Sequence, residues 1–170
     1  MTFIPNPELK KSIGDRWEAV GRIRQRMSIH VQGAMISSMP QPGLAHALYN
    51  LPFLLACDAL HRTLAAARDQ LKFKSDGGSL DHLFRAAENE IRWIDRAAIG
   101  GAIGRRHRVA HEGALFDAEV CLKDIEHVER QLRSWGVLEG EMRGVLDYIV
   151  EGQGVQRFTR SLPSDSPDRS

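Results

Sequence analysis

Apolar side chains recur every three to four residues along much of this chain, which is the spacing of one face of an α-helix. The pattern covers residues 8–38, 80–98 and 118–135. Residues 44–71 are apolar on nearly all sides, as expected of a helix at the centre of a bundle. We find no credible run that alternates apolar and polar residues as a half-buried strand does. The sequence therefore predicts an all-α bundle of four to five helices.

Local signals divide this pattern into elements. Proline and glycine at residues 40–43 predict the end of the first helix. Glycines near residue 100 are expected to interrupt or loosen the third helix. A short last helix is predicted around 141–150. The domain is predicted to span residues 1–152, and residues 153–170, which end in a segment rich in Ser, Pro and Asp, are predicted to form a flexible tail.

Length and composition fit one globular domain, because 170 residues can bury a core without disulfides. The two cysteines, Cys57 and Cys121, are interpreted as small buried apolar residues. No secretory signal is apparent at the N-terminus. The charge-free stretch 27–57 contains prolines and polar residues, which favours protein core over a membrane span. We expect a cytoplasmic protein with no membrane partner.

The net charge of +1 argues against a protein that coats nucleic acid. This small net charge is the sum of an uneven distribution of charged residues along the chain. Residues 1–111 carry 16 basic and 10 acidic side chains, whereas residues 112–170 carry 7 and 12. The boundary falls inside the densest polar cluster of the chain, residues 104–113.

Three arginines and two histidines lie within seven residues of that cluster, Arg105-Arg106-His107-Arg108-Val109-Ala110-His111. Arginine binds phosphate through a planar charged fork, and histidine exchanges a proton near neutral pH. Together they suit cleavage of an RNA phosphodiester. On a regular helix Arg106 and His111 lie about 140° apart. They would converge only at a helix end or a local distortion, which the flanking glycines Gly104 and Gly113 would permit.

Two other interpretations compete for the same cluster. His107 and His111 have a spacing that zinc ligands use on a helix. However, Arg108 stands where a zinc-protease helix needs glutamate, the arginines repel a dication, and no Cys or carboxylate pattern completes the set. We therefore predict no metal ion and no other cofactor. The second alternative is an exposed basic helix end whose arginines pair with nearby acids.

The string Arg106-His107-Arg108-Val109-Ala110-His111-Glu112-Gly113 resembles the R-[polar]-x-x-x-H motif of the HEPN superfamily, helical domains found in many prokaryotic toxin and antiviral ribonucleases. The resemblance covers roughly residues 8–136 and places the motif just before a long closing helix, as in that family. Asparagine is commonest where this chain has His107. Gly113 stands where a toxin subgroup has a tyrosine that is adenylylated.

The resemblance implies a HEPN-like bundle with metal-independent endoribonuclease activity. Arg106 and His111 would be the catalytic pair, and His107 would occupy the supporting polar position. In this family two motifs often face each other across a homodimer, which suggests a second role for the apolar seam of residues 118–135.

Three further residues are predicted to bind substrate: Arg105, Arg108 and Asp58. Asp58 stands alone as a charge in a long apolar region, so it should meet a cation, either Arg106 or another arginine. The predicted function is RNA cleavage in a toxin–antitoxin or phage-defence system. RNA, a second copy and an antitoxin or other regulatory protein are the expected partners. The alternative is a non-catalytic HEPN module that binds RNA or a partner protein.

Overall fold

The computed structural model describes residues 3–36, 42–70, 72–139, 147–151 and 154–158. These residues form five helices and one two-stranded hairpin. The helices are α1 (Pro7–Ile36), α2 (Pro42–Asp69), α3 (Leu80–Ala86), α4 (Arg96–Glu112) and α5 (Ala118–Ser134), and the strands are β1 (Asp147–Glu151) and β2 (Gly154–Phe158). The predicted helical bundle is confirmed, with a small hairpin added to it.

Helix α2 is the centre of the bundle, since it packs against α1, α3, α4 and α5. Its fully buried side chains are Tyr49, Phe53, Ala56, Cys57, Ala59, Leu60, Thr63, Leu64 and Ala67. The central position predicted for residues 44–71 is thus confirmed.

The apolar seam of α5 packs inside the same chain. Cys121, Ile125, Val128 and Leu132 are each at most 1% exposed, and α5 lies against α2 and α4. Because the chain's own core covers the seam, it cannot also face a second copy. The second role predicted for it is wrong, and a homodimer would use another surface.

The apolar repeat that predicted one continuous third helix forms two helices instead. Residues 87–95 separate α3 from α4. In this connection Gln131 of α5 accepts from the backbone N–H of Ile94 at 2.8 Å, and the Trp135 indole N–H donates to the carbonyl of Arg92 at 2.9 Å. Side chains thus pair backbone groups that a continuous helix would pair internally. The prediction of one helix is wrong for this reason.

The glycines expected to interrupt the third helix lie inside an unbroken α4. Asp95 caps its first turn by accepting from the N–H of Ala98 at 2.9 Å. Gly104 has helical neighbours on both sides, and the helix runs on to Glu112. Gly113 then ends it in the left-handed conformation, at φ 68°, with its N–H bonded to the carbonyl of Arg108. The motif therefore occupies the last two turns of a regular helix.

Replacing Gly104 by alanine is expected to raise the free energy of unfolding by about 0.5–1 kcal/mol, because alanine loses less conformational entropy in a helix. A Cβ at Gly104 would meet no atom within 4 Å. Gly113→Ala is the matched control, since its surroundings are equally open but its φ is +68°. It should lower stability by about 1 kcal/mol. Urea denaturation followed by circular dichroism measures both, and changes of the same sign would contradict the two backbone conformations.

A β-hairpin stands where the sequence predicted the last helix. Strand β1 pairs antiparallel with β2, with Ile149 opposite Gln156, and β1 packs against α1, α2 and α5. The helix predicted over 141–150 is wrong from Asp147 onward, and residues 141–146 lie outside the described residues. Strand β2 also occupies part of the predicted tail, of which residues 153 and 159–170 lie outside the described residues as well.

Candidate functional site

The predicted catalytic residues lie on the last two turns of α4. Arg106 is half-buried, whereas His107 and His111 are exposed. Because α4 is regular here, Arg106 and His111 point about 140° apart around the helix axis. The distortion that would bring them together does not occur, and no hydrogen bond joins them within the part of the chain that the structure describes. One copy of the chain therefore does not assemble the predicted pair.

Arg106 is half-buried on α4, and its charge acts on the buried Cys57 of α2. Burial raises the pKa of the Cys57 thiol strongly, and the positive charge of Arg106 lowers that pKa in part. Burial also raises the pKa of Cys121 to about 12, with the Asp124 carboxylate adding to the effect. Both thiols are neutral and buried, as the sequence predicted. Among the described residues, Arg106 has no ion pair or hydrogen-bonding side chain, so its guanidinium remains available to a ligand.

His107 and His111 contact each other through their rings, whose centroids lie 4.7 Å apart with the planes inclined by 46°. Neither ring is hydrogen-bonded to any described residue. His61 and His82, in contrast, each have a hydrogen-bonded ring. The ring of His61 is hydrogen-bonded to a backbone carbonyl, and that of His82 to the hydroxyl of Ser79. The motif thus presents two exposed imidazoles whose ring nitrogens are free of such bonds.

Arg105 is engaged within the fold. Its Nε and Nη2 donate to the two carboxylate oxygens of Asp124 on α5 at 2.6 and 2.7 Å. The Asp124 side chain is 3% exposed and that of Arg105 is 32% exposed. This hydrogen bond is the largest cause of a raised pKa at Arg105. The predicted substrate-binding residue therefore joins α4 to α5, with only part of its fork facing solvent.

Sequence reasoning missed Asp124. The signal was present, because Asp124 lies three residues after Cys121 and four before Val128, both of which belong to the apolar seam. A carboxylate on a face that is otherwise buried requires a cationic partner. The arginine cluster of α4 was the available source.

Arg108 lies beside the loop that follows α4. Its Nε is 3.5 Å from the Glu112 carboxylate, with both side chains more than half exposed, and its guanidinium lies 5.1 Å from the ring centroid of Phe116. The buried Asn50 of α2 donates to the Phe116 carbonyl at 2.9 Å and accepts from its N–H at 3.1 Å. This pair of bonds fixes the loop against α2. The role of Asn50 was also missed, although a polar residue in a charge-free apolar stretch was a signal for it.

Asp58 faces α1. A single carboxylate oxygen accepts from Arg16 at 2.8 Å and from Arg62 at 3.1 Å. Of the two partners considered from sequence, another arginine is confirmed, and Arg106 is not among its bonded partners. The structure does not bring Asp58 to the motif.

A cavity of about 790 Å³ lies away from the motif. Side chains of α1 and of the C-terminal end of α5 line it, including Trp17, Arg24 and Arg133. No residue of the cluster 104–113 takes part in this lining.

No group of three or more His, Cys, Asp or Glu side chains among the described residues is placed to hold a metal ion. None of the helices described is both long and apolar enough to cross a membrane.

Comparison with protein-family models, with curated proteins and with solved structures found no match to this chain. The HEPN resemblance therefore rests on the motif residues and on their position in the helical domain.

Proposed function

We propose that this chain is a metal-independent endoribonuclease of the HEPN type, acting in the cytoplasm as part of a toxin–antitoxin or phage-defence system. The observation that carries the proposal is the chemistry left available at the end of α4. Arg106 keeps a guanidinium without an ion-pair partner among the described residues, and His107 and His111 expose ring nitrogens. These are the two kinds of group that phosphodiester transfer requires, a phosphate clamp and a proton carrier.

In the proposed reaction, His111 accepts the proton of a ribose 2′-hydroxyl as its oxygen attacks the adjacent phosphorus. The bond between phosphorus and the 5′-oxygen breaks, and the leaving oxygen takes up a proton from the solvent, to which His111 later returns the proton it accepted. Arg106 stabilises the negative charge that develops on the non-bridging oxygens. The products are a 2′,3′-cyclic phosphate and a 5′-hydroxyl, and water is not consumed in this step.

The proposal requires two copies of the chain. Arg106 and His111 point about 140° apart in one copy, so one active site would combine Arg106 of one copy with His111 of another. The exposed end of α4 is the surface on which such copies would meet, since the α5 seam is buried. Of the three arginines in the cluster, Arg105 and Arg108 have internal acidic partners, which leaves Arg106 as the phosphate ligand.

The same divergence favours a second candidate function. A HEPN module whose Arg106 and His111 never meet would bind RNA or a partner protein through this basic surface without cleaving it. Binding of that kind is electrostatic and weakens steeply with added salt.

The test incubates the purified full chain with single-stranded RNA in the presence of EDTA. We expect cleavage to 2′,3′-cyclic phosphate ends, and a rate lowered about 100-fold or more in Arg106→Ala and in His111→Ala. Arg85→Ala, which removes an exposed arginine from α3, is the matched control and should cleave as the unmodified chain does. Cleavage that persists in both motif variants contradicts the proposal. Salt-sensitive binding without cleavage supports the second candidate instead.

A further inference from the structure

We propose that His107 and His111 together form a two-imidazole site for a divalent transition-metal ion such as Zn²⁺, and that occupancy of this site inhibits the ribonuclease. The binding half of this inference stands on geometry alone. The inhibitory half rests on the proposed function, in which His111 carries the proton.

The geometry of the pair suits one ion. The two residues are four apart on a regular helix, so both rings leave the same face of α4. Two nitrogens bound to one tetrahedral ion at about 2.0–2.1 Å lie about 3.3 Å from each other. Rings with centroids 4.7 Å apart reach that separation when their nitrogen edges turn toward each other. No bond to a described residue has to be broken for this rotation, and imidazole is a preferred ligand of Zn²⁺, Ni²⁺ and Cu²⁺.

The arginines beside the two histidines repel a divalent cation less strongly than their number in the sequence suggests. Arg105 bonds both oxygens of Asp124, and Arg108 lies 3.5 Å from the Glu112 carboxylate. Arg106 is the remaining cation, and it leaves the helix about 100° away from His107. Two of the three positive charges are therefore balanced locally.

The surface next to the pair also has room for an ion that keeps water ligands. Gly104 lies one turn before His107 on the same side of α4, and no atom is within 4 Å of the position its Cβ would take. Two protein ligands are fewer than the four of a structural zinc site. The ion would thus be held reversibly, with water in its other positions.

A bound ion would block catalysis directly. Coordination uses the nitrogen lone pair of the neutral imidazole, and His111 needs a lone pair to accept the 2′-hydroxyl proton. The same two rings would therefore serve as a proton carrier when empty and as a metal ligand when occupied. The ribonuclease would respond to free zinc.

Calorimetric titration of the full chain with ZnCl₂ tests the binding half. We expect one site, weakened more than about ten-fold in both His107→Gln and His111→Gln, since even loss of a group that only orients a ligand costs about 10–100-fold. His30→Gln removes an exposed histidine of α1 and should bind as the unmodified chain does. Absence of binding, or binding unchanged in both α4 variants, overturns the site.

Cleavage of RNA with and without zinc tests the inhibitory half. We expect zinc to slow the unmodified chain, EDTA to reverse the effect, and the ratio of the two rates to approach one in His107→Gln, whatever the basal rate of that variant. An unchanged ratio in His107→Gln overturns inhibition at this site. If the unmodified chain cleaves no RNA, the proposed function and the inhibitory half fail together, while the titration still decides whether the site exists.

Discussion

Replacing Asp124 by alanine is expected to lower the free energy of unfolding by about 3 kcal/mol. Breaking a buried ion pair by removing one partner costs about 3–5 kcal/mol, because the other charge stays in the protein without compensation. The group left behind is Arg105, whose side chain is 32% exposed. Water solvates part of its guanidinium, which places the loss at the lower end of that range.

Arg105→Ala should be the more damaging of the two changes, at about 5 kcal/mol. It leaves the Asp124 carboxylate, which is only 3% exposed, without its cation. Arg108→Ala on the same helix is the matched control. It removes an exposed pair at 3.5 Å, and such pairs contribute about 0–1 kcal/mol.

Urea denaturation at neutral pH measures the three variants, and the double variant Arg105→Ala/Asp124→Ala completes the cycle. The double variant should lose less stability than the two single losses added together, because it leaves no uncompensated charge. Losses for Arg105→Ala and Asp124→Ala as small as that for Arg108→Ala would show that the pair does not anchor α4 to α5.

Most of the helical framework could be predicted from the sequence because its signals are local. The three-to-four residue spacing of α1 and α5 and the nearly all-apolar surface of α2 each follow from burial of a helix face. The boundary between α3 and α4 could not be predicted in this way. It depends on Gln131, which is distant in sequence and accepts from the N–H of Ile94.

The hairpin was missed although its sequence carries a signal. Tyr148 and Val150 favour strands, and glycines at positions 152 and 154 are a sequence signal for a turn. The three-to-four residue spacing of apolar residues in the preceding chain favoured a further helix at this position instead. Two strands of five residues need a surface to pack on, and β1 finds it on α1, α2 and α5.

The candidate site shows the same difference between local sequence signals and contacts that are distant in sequence. The positions of Arg106, His107 and His111 on one helix follow from their spacing. Their surroundings follow from packing between helices, which determines that Arg105 meets Asp124 and that Asp58 meets Arg16. Sequence spacing alone therefore predicts more arginines available to bind a phosphate than the packed structure leaves.

Mixing Arg106→Ala with His111→Ala is expected to restore about a quarter of the cleavage rate of the unmodified chain, if the two chains exchange freely into symmetric dimers. Half of the dimers then contain one copy of each variant. In each of these, one of the two sites combines the intact Arg106 of one copy with the intact His111 of the other. Each variant alone has no complete site, so recovery above the sum of the separate rates is the measured quantity.

The control for this mixture pairs Arg106→Ala with the double variant Arg106→Ala/His111→Ala, which supplies no intact Arg106 and should recover nothing. Light scattering establishes that the copies associate under the assay conditions. Failure to recover in a mixture that does associate would mean that Arg106 and His111 act from the same copy. The backbone between Arg106 and His111 would then have to leave the α-helical conformation to close the angle of about 140° between them, so the last turn of α4, which Gly113 ends, would have to unwind.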